Sequence, residues 1–449
     1  MRTRSVARAS LAAAATVLLT VSAVLAIPAV SFTPPERLGF PNGDDWEPSI
    51  AADDAGFVYA LWNHYVGFGG ADTGDPDPSC LECPSPHMVI QIYDPVEGWG
   101  DPHALAPSEE RQDDPQIVVD PVTQYVYTAY MEGNKSSIVV ARSTNQGRTF
   151  VPVVVEEIER GLDKIALAAR NGDVYVVYHS KQKIFASFSH DDGENWETVQ
   201  PIHNTNSVFG ESLPSGAAID SDGTAYFAWN GANNPGQAKG TINLFVTSTD
   251  DGGQTWTTSV VDQSQAPPQC ACGGWAYWGS QMAIGVDGED RVYVMWNANE
   301  VKYGPHRMYF AVSIDGAASW SDPVDVSPLA PAGVNHVFPA LVAGGARDVR
   351  IAWTDDRNGS DAGGNDPDAR WNTYYRQSTD AGATWSDETQ LSAFVSGFTY
   401  KSDTPADGYL QPYGDYFELD IDSAGKTVAF WGEGNSYVGP GNVWFARQQ

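Results

Sequence analysis

The chain has 449 residues and carries 57 acidic against 25 basic side chains, a formal net charge of −32. A surface this acidic repels nucleic acid and other polyanions, so nucleic-acid-binding classes are excluded first. It suits a protein that must stay soluble outside the cell.

The N-terminus reads "MRTRSVARASLAAAATVLLTVSAVLAIPAV". Three arginines precede an apolar run that ends in small residues, which predicts a secretory signal peptide over residues 1–29. An uncleaved anchor is the alternative, because the run is near the minimum spanning length. No later segment approaches membrane length, so the expected product is a secreted monomer without stable membrane insertion, and loss of Arg2, Arg4 and Arg8 takes its net charge from −32 to −35.

Residues 30–449 read as one domain of repeated units. "PSIAADDAGFVYALWN", "PQIVVDPVTQYVYTAYM", "KIALAARNGDVYVVYH" and "SGAAIDSDGTAYFAWN" share one form. "MAIGVDGEDRVYVMWN", "PALVAGGARDVRIAWT" and "ELDIDSAGKTVAFWG" continue it. Each is an apolar strand, a turn of Asp, Gly, Asn or Ser, and a strand ending near Trp or Tyr. A variable loop and a third strand follow, then a turn of the form Ser/Thr-x-Asp-x-Gly-x-x-Trp. Its copies are Ser143–Phe150, Ser189–Trp196, Thr249–Trp256, Ser313–Trp320 and Ser378–Trp385. Two are worn: Asn145 and Phe150 replace Asp and Trp in the first, and Ala317 replaces glycine in the fourth.

Four short antiparallel strands per unit predict an all-β fold, a seven-bladed β-propeller. The blades begin near Trp46, Asp113, Asp163, Leu213, Trp278, His336 and Gln411. The last unit stops after three strands at "NVWFARQQ", and "SFTPPERL" ahead of the first is the expected fourth strand that closes the ring. Four cysteines form two tight pairs, Cys80–Cys83 and Cys270–Cys272. In an exported chain these predict disulfides whose connectivity the spacing leaves open, with a four-thiolate metal site as the alternative.

The repeated turns resemble the Asp-box repeats of the sialidase superfamily over almost the whole mature chain. That resemblance implies the propeller fold, with the boxes on the face opposite the active site and structural in role. The family's first blade opens with Phe/Tyr-Arg-Ile-Pro, whose arginine helps hold a sugar carboxylate. Here the matching stretch is "DWEPSIA", with Trp46 and Glu47 where that arginine would stand. The expected substrate is therefore a neutral sugar of an extracellular glycan, cleaved by a carboxylate pair rather than held by an arginine triad.

Strand alternation sends the long loops "HYVGFGGADTGDPDPSCLECPSPH", "TDDRNGSDAGGNDPDARW" and "SAFVSGFTYKSDTPADGYLQPYGDY" to one face. Comparing equivalent positions between units concentrates ionisable residues in blades six, seven, one and two. Asp355 and Asp415 are the first candidates for acid and nucleophile or base, with Tyr413, Glu433 and Asp114 as alternatives. Arg357, Trp46, Glu47, His64, Trp278 and His336 are candidates for substrate contact. No cofactor is expected, although "SDAGGNDPDAR" and "ADTGDPDP" carry oxygen donors that could wrap calcium. Two other classes stay open: a non-catalytic glycan- or protein-binding propeller at the cell surface, and a polysaccharide lyase, which the acidic balance disfavours.

Overall fold

The computed structural model describes residues 29–40, 44–65, 86–181, 183–199, 211–232, 241–268, 280–357, 371–392, 416–434 and 441–449. The expected signal segment and both cysteine pairs lie outside them. Among the described residues there is no helix, and so none long and apolar enough to cross a membrane.

The strands form seven antiparallel sheets, in which strands pair with their neighbours in sequence except at the outer edges of blades one and seven. The inner strands of blades one to seven are Asp44–Ala52, Gln112–Val119, Leu162–Arg170, Glu211–Ile219, Met282–Val286, His336–Ala343 and Phe417–Ile421. Each packs against the next, and the first packs against the last, so the sheets close into a propeller ring. The outermost strand of blade seven is Glu36–Leu38, which pairs Arg37 with Trp444, and Phe32 bridges to Gln448. In blade one the outer strand is broken into Gly98–Trp99 and His103–Ala104, both paired with the third strand, His87–Asp94.

The core lies in the seams between blades. Seven apolar clusters occur, and each joins residues of two neighbouring blades. The aromatic residues near the ends of the second strands fill these seams: Trp62, Tyr130, Tyr178, Trp229, Trp296, Trp353 and Trp431 are essentially without exposed surface. Burying rings of that size is the main favourable term for a fold that has no other core. Their polar edges find partners. Trp62 Nε1 donates to Asp45 (2.7 Å), Trp296 Nε1 to Asp262 (2.9 Å) and Trp353 Nε1 to Asp355 (2.9 Å).

One rim is built by the repeated turns. In Thr249–Trp256 the Thr249 hydroxyl donates to Asp251 (3.0 Å) and accepts from the Gly253 amide (2.9 Å). Asp251 also accepts from the Thr255 amide (2.8 Å), and Trp256 Nε1 closes on the Gly253 carbonyl (3.0 Å). The fifth residue of every copy has positive φ, from 64° at Ala317 to 85° at Gly253. That explains why the template asks for glycine there. At the opposite rim the inner strands begin, the second strands end and the connections between blades arrive.

Candidate functional site

At that opposite rim the inner strands share a second irregularity, not visible as a sequence motif. Their pairing slips at Trp46/Ser49, Asp113/Gln116, Asp163/Ile165 and Val337/Ala340, a β-bulge in each case. One residue in each bulge lies in the left-handed region: Glu47 (φ 56°), Asp114 (54°), Lys164 (48°) and Phe338 (53°). None is glycine or asparagine, so each costs free energy, on the order of 1 kcal/mol or more. Bulges re-aim side chains, and they recur beside active sites.

The first three bulges are linked. Glu47 Oε2 accepts from the backbone amide of Asp114 (3.2 Å), and Asp114 Oδ2 accepts from that of Lys164 (3.2 Å). The carboxyl of one blade thus bonds the bulge of the next. Asn63 also donates to Glu47 Oε2 (2.9 Å), and the Lys164 ammonium lies 4.6 Å from the centre of the Tyr416 ring at the entry to blade seven. Around them stand the Arg111–Asp113 pair (2.6 and 2.9 Å) and the Lys135–Asp163 pair (2.6 Å). The Tyr65 ring lies 5.6 Å from that of Trp46, tilted by 55°.

The electrostatics single out Glu47. Burial pushes its carboxyl well above the usual range, the Asp114 carboxylate pushes it further, and Lys164 opposes both. Burial also raises Asp113, against the opposing Arg111. Burial tends to raise Asp163 as well, but Lys135 and Lys164 together hold it low. Burial tends to lower Lys135, but Asp114 and Asp163 raise it. Burial, with Glu47 and Asp114 adding to it, pushes the phenols of Tyr65 and Tyr416 upward. Four carboxyls thus meet three cations, so a proton on Glu47 brings the cluster to charge balance.

Beside the cluster opens the central channel of the ring, with a volume of about 290 Å³. Lys164 and Tyr416 line it, together with Asn230, Gln281 and Phe338. Deeper along it lie Glu418 and Asp420 of blade seven, raised by burial to about 7 and about 6. Glu418 accepts from the Ser49 hydroxyl (2.6 Å) and the Ile50 amide (3.0 Å), and Asp420 from the Ala52 amide (2.7 Å), all on blade one.

The residues singled out from sequence fall into separate places. Glu47 and Asp114 meet directly, and Trp46 adjoins them. His64 is buried in blade one, its Nδ1 2.8 Å from Asp45. Asp355, Arg357 and His336 form a different cluster inside blade six. Asp355 has no exposed surface, binds Arg357 (2.6 Å) and Trp353, and lies 3.6 Å from His336 Nε2. Arg357 continues to Glu388 and stacks on Tyr374 at 3.5 Å. His336 is held low by burial, against the Asp355 carboxylate, and its Nδ1 is 2.7 Å from the His306 carbonyl. Glu433 sits on the second strand of blade seven opposite Asn442, its side chain outside the description. Asp415, Tyr413, Trp278 and both acidic loops that could wrap calcium lie outside the described residues. Among the described residues no group of three or more His, Cys, Asp or Glu is placed to hold a metal.

Lys135, Asp163, Lys164, Tyr65 and Tyr416 were not singled out from the sequence. Lys164 in "DKIA" occupies the bulge position of Glu47 in "DWEP" and Asp114 in "DDPQ", which is the signal that could have found it.

No protein-family model and no curated protein matches this sequence. Solved structures do match in shape. A protein of unknown function from Dyadobacter fermentans is 12% identical, with 94% of this chain and 100% of that one covered at a TM-score of 0.51. An ulvan lyase, a polysaccharide lyase solved with a glucuronate–rhamnose-3-sulfate repeat, is 10% identical over 91% and 95%, at 0.52. A Hadza microbial sialidase is 13% identical at 0.46, and this chain spans 65% of its length. The neighbours are sialidase-like and polysaccharide-lyase propellers, and at these identities the likeness is one of fold.

Proposed function

We propose that the protein is an exported glycoside hydrolase, acting on an extracellular glycan through Glu47 and Asp114. The observation that carries this reading is the Glu47 carboxyl, buried against Asp114 on a strained bulge and linked through it to Lys164, which lines the channel. A carboxyl kept protonated near neutrality can donate to a leaving glycosidic oxygen. Asp114, beside Lys135 and the Lys164 amide, is the partner that attacks or activates water. Lys164 and Lys135 hold the negative charge that develops when Glu47 gives up its proton. This moves the carboxylate pair away from Asp355, whose oxygens are committed inside blade six. The sialidase and lyase neighbours support a glycan as substrate by analogy of fold alone.

A lyase is the second reading, favoured by the three cations and two tyrosines in the same cluster. Cations would neutralise a uronate and a phenolate would take the proton. Against it, both phenols are pushed upward, which keeps them protonated and leaves no phenolate to take the proton.

The test is the purified protein on chromogenic glycosides and on uronate-containing polysaccharides, with Glu47→Gln and Asp114→Asn alongside. Glycoside turnover lost in both variants supports hydrolysis, whereas unsaturated uronate products lost with Tyr416→Phe support the lyase. Binding without turnover on either substrate set would leave a non-catalytic module. Cell fractionation with N-terminal sequencing of the mature chain tests export.

A further inference from the structure

Three blades end the second strand with Trp-Asn: Trp62–Asn63, Trp229–Asn230 and Trp296–Asn297. In blade one the amide donates to Glu47 (2.9 Å), and in blade five to the His336 carbonyl on the next inner strand (3.0 Å). In blade four Asn230 is just as buried, at 1% exposed, yet among the described residues neither its Oδ1 nor its Nδ2 has a partner. Asn230 shares a strand face with Ala228, which packs against Met282 and Ile284 of blade five. Its side chain therefore faces the seam between blades four and five, where that seam meets the channel. Ser280 lies in the same stretch, just before channel-lining Gln281. It is fully buried with φ 62°, and its hydroxyl is also without a partner among the described residues. An unbonded buried polar group costs about 1–3 kcal/mol. At the same repeat position in blades one and five only Oδ1 is left unbonded among the described residues, whereas in blade four both ends of the amide are.

We infer that Asn230 is a ligand-binding residue that holds one hydroxyl-bearing, uncharged sugar ring at the channel mouth. This rests on the glycan-acting reading above and names the part of the glycan that enters. A primary amide offers an acceptor and two donors in one plane, which neighbouring hydroxyls match because each both gives and takes. A carboxylate would use only the donor half and meet Oδ1 with like charge, and an ammonium would use only the acceptor half. The channel's 290 Å³ is at the bottom of the small-ligand range of roughly 300–1,000 Å³, so it takes one ring. Phe338 and Tyr416 on its wall offer apolar surface for the ring's C–H face.

The experiment is calorimetric titration of the full chain with methyl glycosides of neutral monosaccharides, with thermal unfolding of each variant. Asn230→Leu keeps the shape and removes the amide. It is expected to bind at least about tenfold more weakly while its Tm holds or rises, since an unbonded polar group leaves the interior. Asn297→Leu, which breaks a structural bond, is expected to lower Tm and leave binding intact. Should Asn230→Leu not fold, Asn230→Ala carries the same comparison. Unchanged affinity in the Asn230 variant, or no binding of any glycoside by the native chain, overturns the inference. Glu47→Gln separates it from the catalytic reading. Binding that depends on Asn230 without any turnover leaves the subsite standing and removes the hydrolase. Turnover that depends on Glu47 with KM indifferent to Asn230 does the reverse.

Discussion

Two charged clusters in this ring use the same side chains to opposite ends. In blade six, Asp355 and Arg357 are locked to each other, to Trp353 and to Glu388, on ordinary backbone and with no exposed carboxylate surface. At the channel mouth, Glu47, Asp114 and Lys164 sit on strained bulges, and the carboxyls outnumber the cations. The first arrangement satisfies its charges and holds a blade together. The second keeps one carboxyl out of its ordinary protonation range, on bulges that the repeat also forms at Phe338 without any charge. Composition cannot separate them, because each contributes acidic residues to the same strand ends. What separates them is whether each charge has a partner of its own.

That contrast can be broken by substitution. The largest effect expected is on turnover. Glu47→Gln keeps the bond from Asn63 but cannot supply a proton, so kcat should fall about 10²–10⁴-fold with Tm unchanged or slightly raised. A Glu47→Gln protein that unfolds easily would make the mouth cluster structural as well. Next, Asp355→Asn should lower unfolding free energy by about 3 kcal/mol in chemical denaturation, because Arg357 loses its bidentate partner inside the blade. If Asp355→Asn instead removed activity in a protein of full stability, the roles assigned to the two clusters would have to be exchanged.

The fold was legible in the sequence because its devices recur at fixed spacing. The repeated turns, the second-strand aromatics and the Asp-rich hairpins each appear often enough to be seen without structure. The turn glycine is one example that can be tested. A Cβ on Gly382 would come 2.3 Å from Phe310 Cε1, at φ 83°. Gly382→Ala should therefore cost about 2 kcal/mol, although Ala317 is tolerated at the same turn position in blade five. The site was legible only in part. Glu47 and Asp114 stood out because they differ between units. Lys164 and Tyr416 did not, since a one-residue bulge changes which way a side chain points and leaves no trace in the hydrophobic pattern. Asp355 drew attention for its charge, and only its partners reveal its role.

The last expected effect sharpens the contrast along the channel itself. Glu418 and Asp420 reach across the seam that closes the ring and bond the inner strand of blade one. Burial raises them to about 7 and about 6, against the hydrogen bonds that favour their charged forms. A carboxyl raised in the native state binds its proton more tightly there than in the unfolded chain, where glutamate titrates near about 4.3. Its contribution to stability is thus fully present below that value and is lost as pH rises, through about 6 for Asp420 and about 7 for Glu418. Tm should therefore decline between about pH 4.5 and 7.5, and Glu418→Gln, which cannot ionise, should flatten that slope. Asp355→Asn should lower Tm because Arg357 loses its partner. If Glu418→Gln left the slope unchanged, the seam that closes the ring would not be the source of the pH dependence, and the channel carboxyls would be no different in kind from the locked charges of blade six.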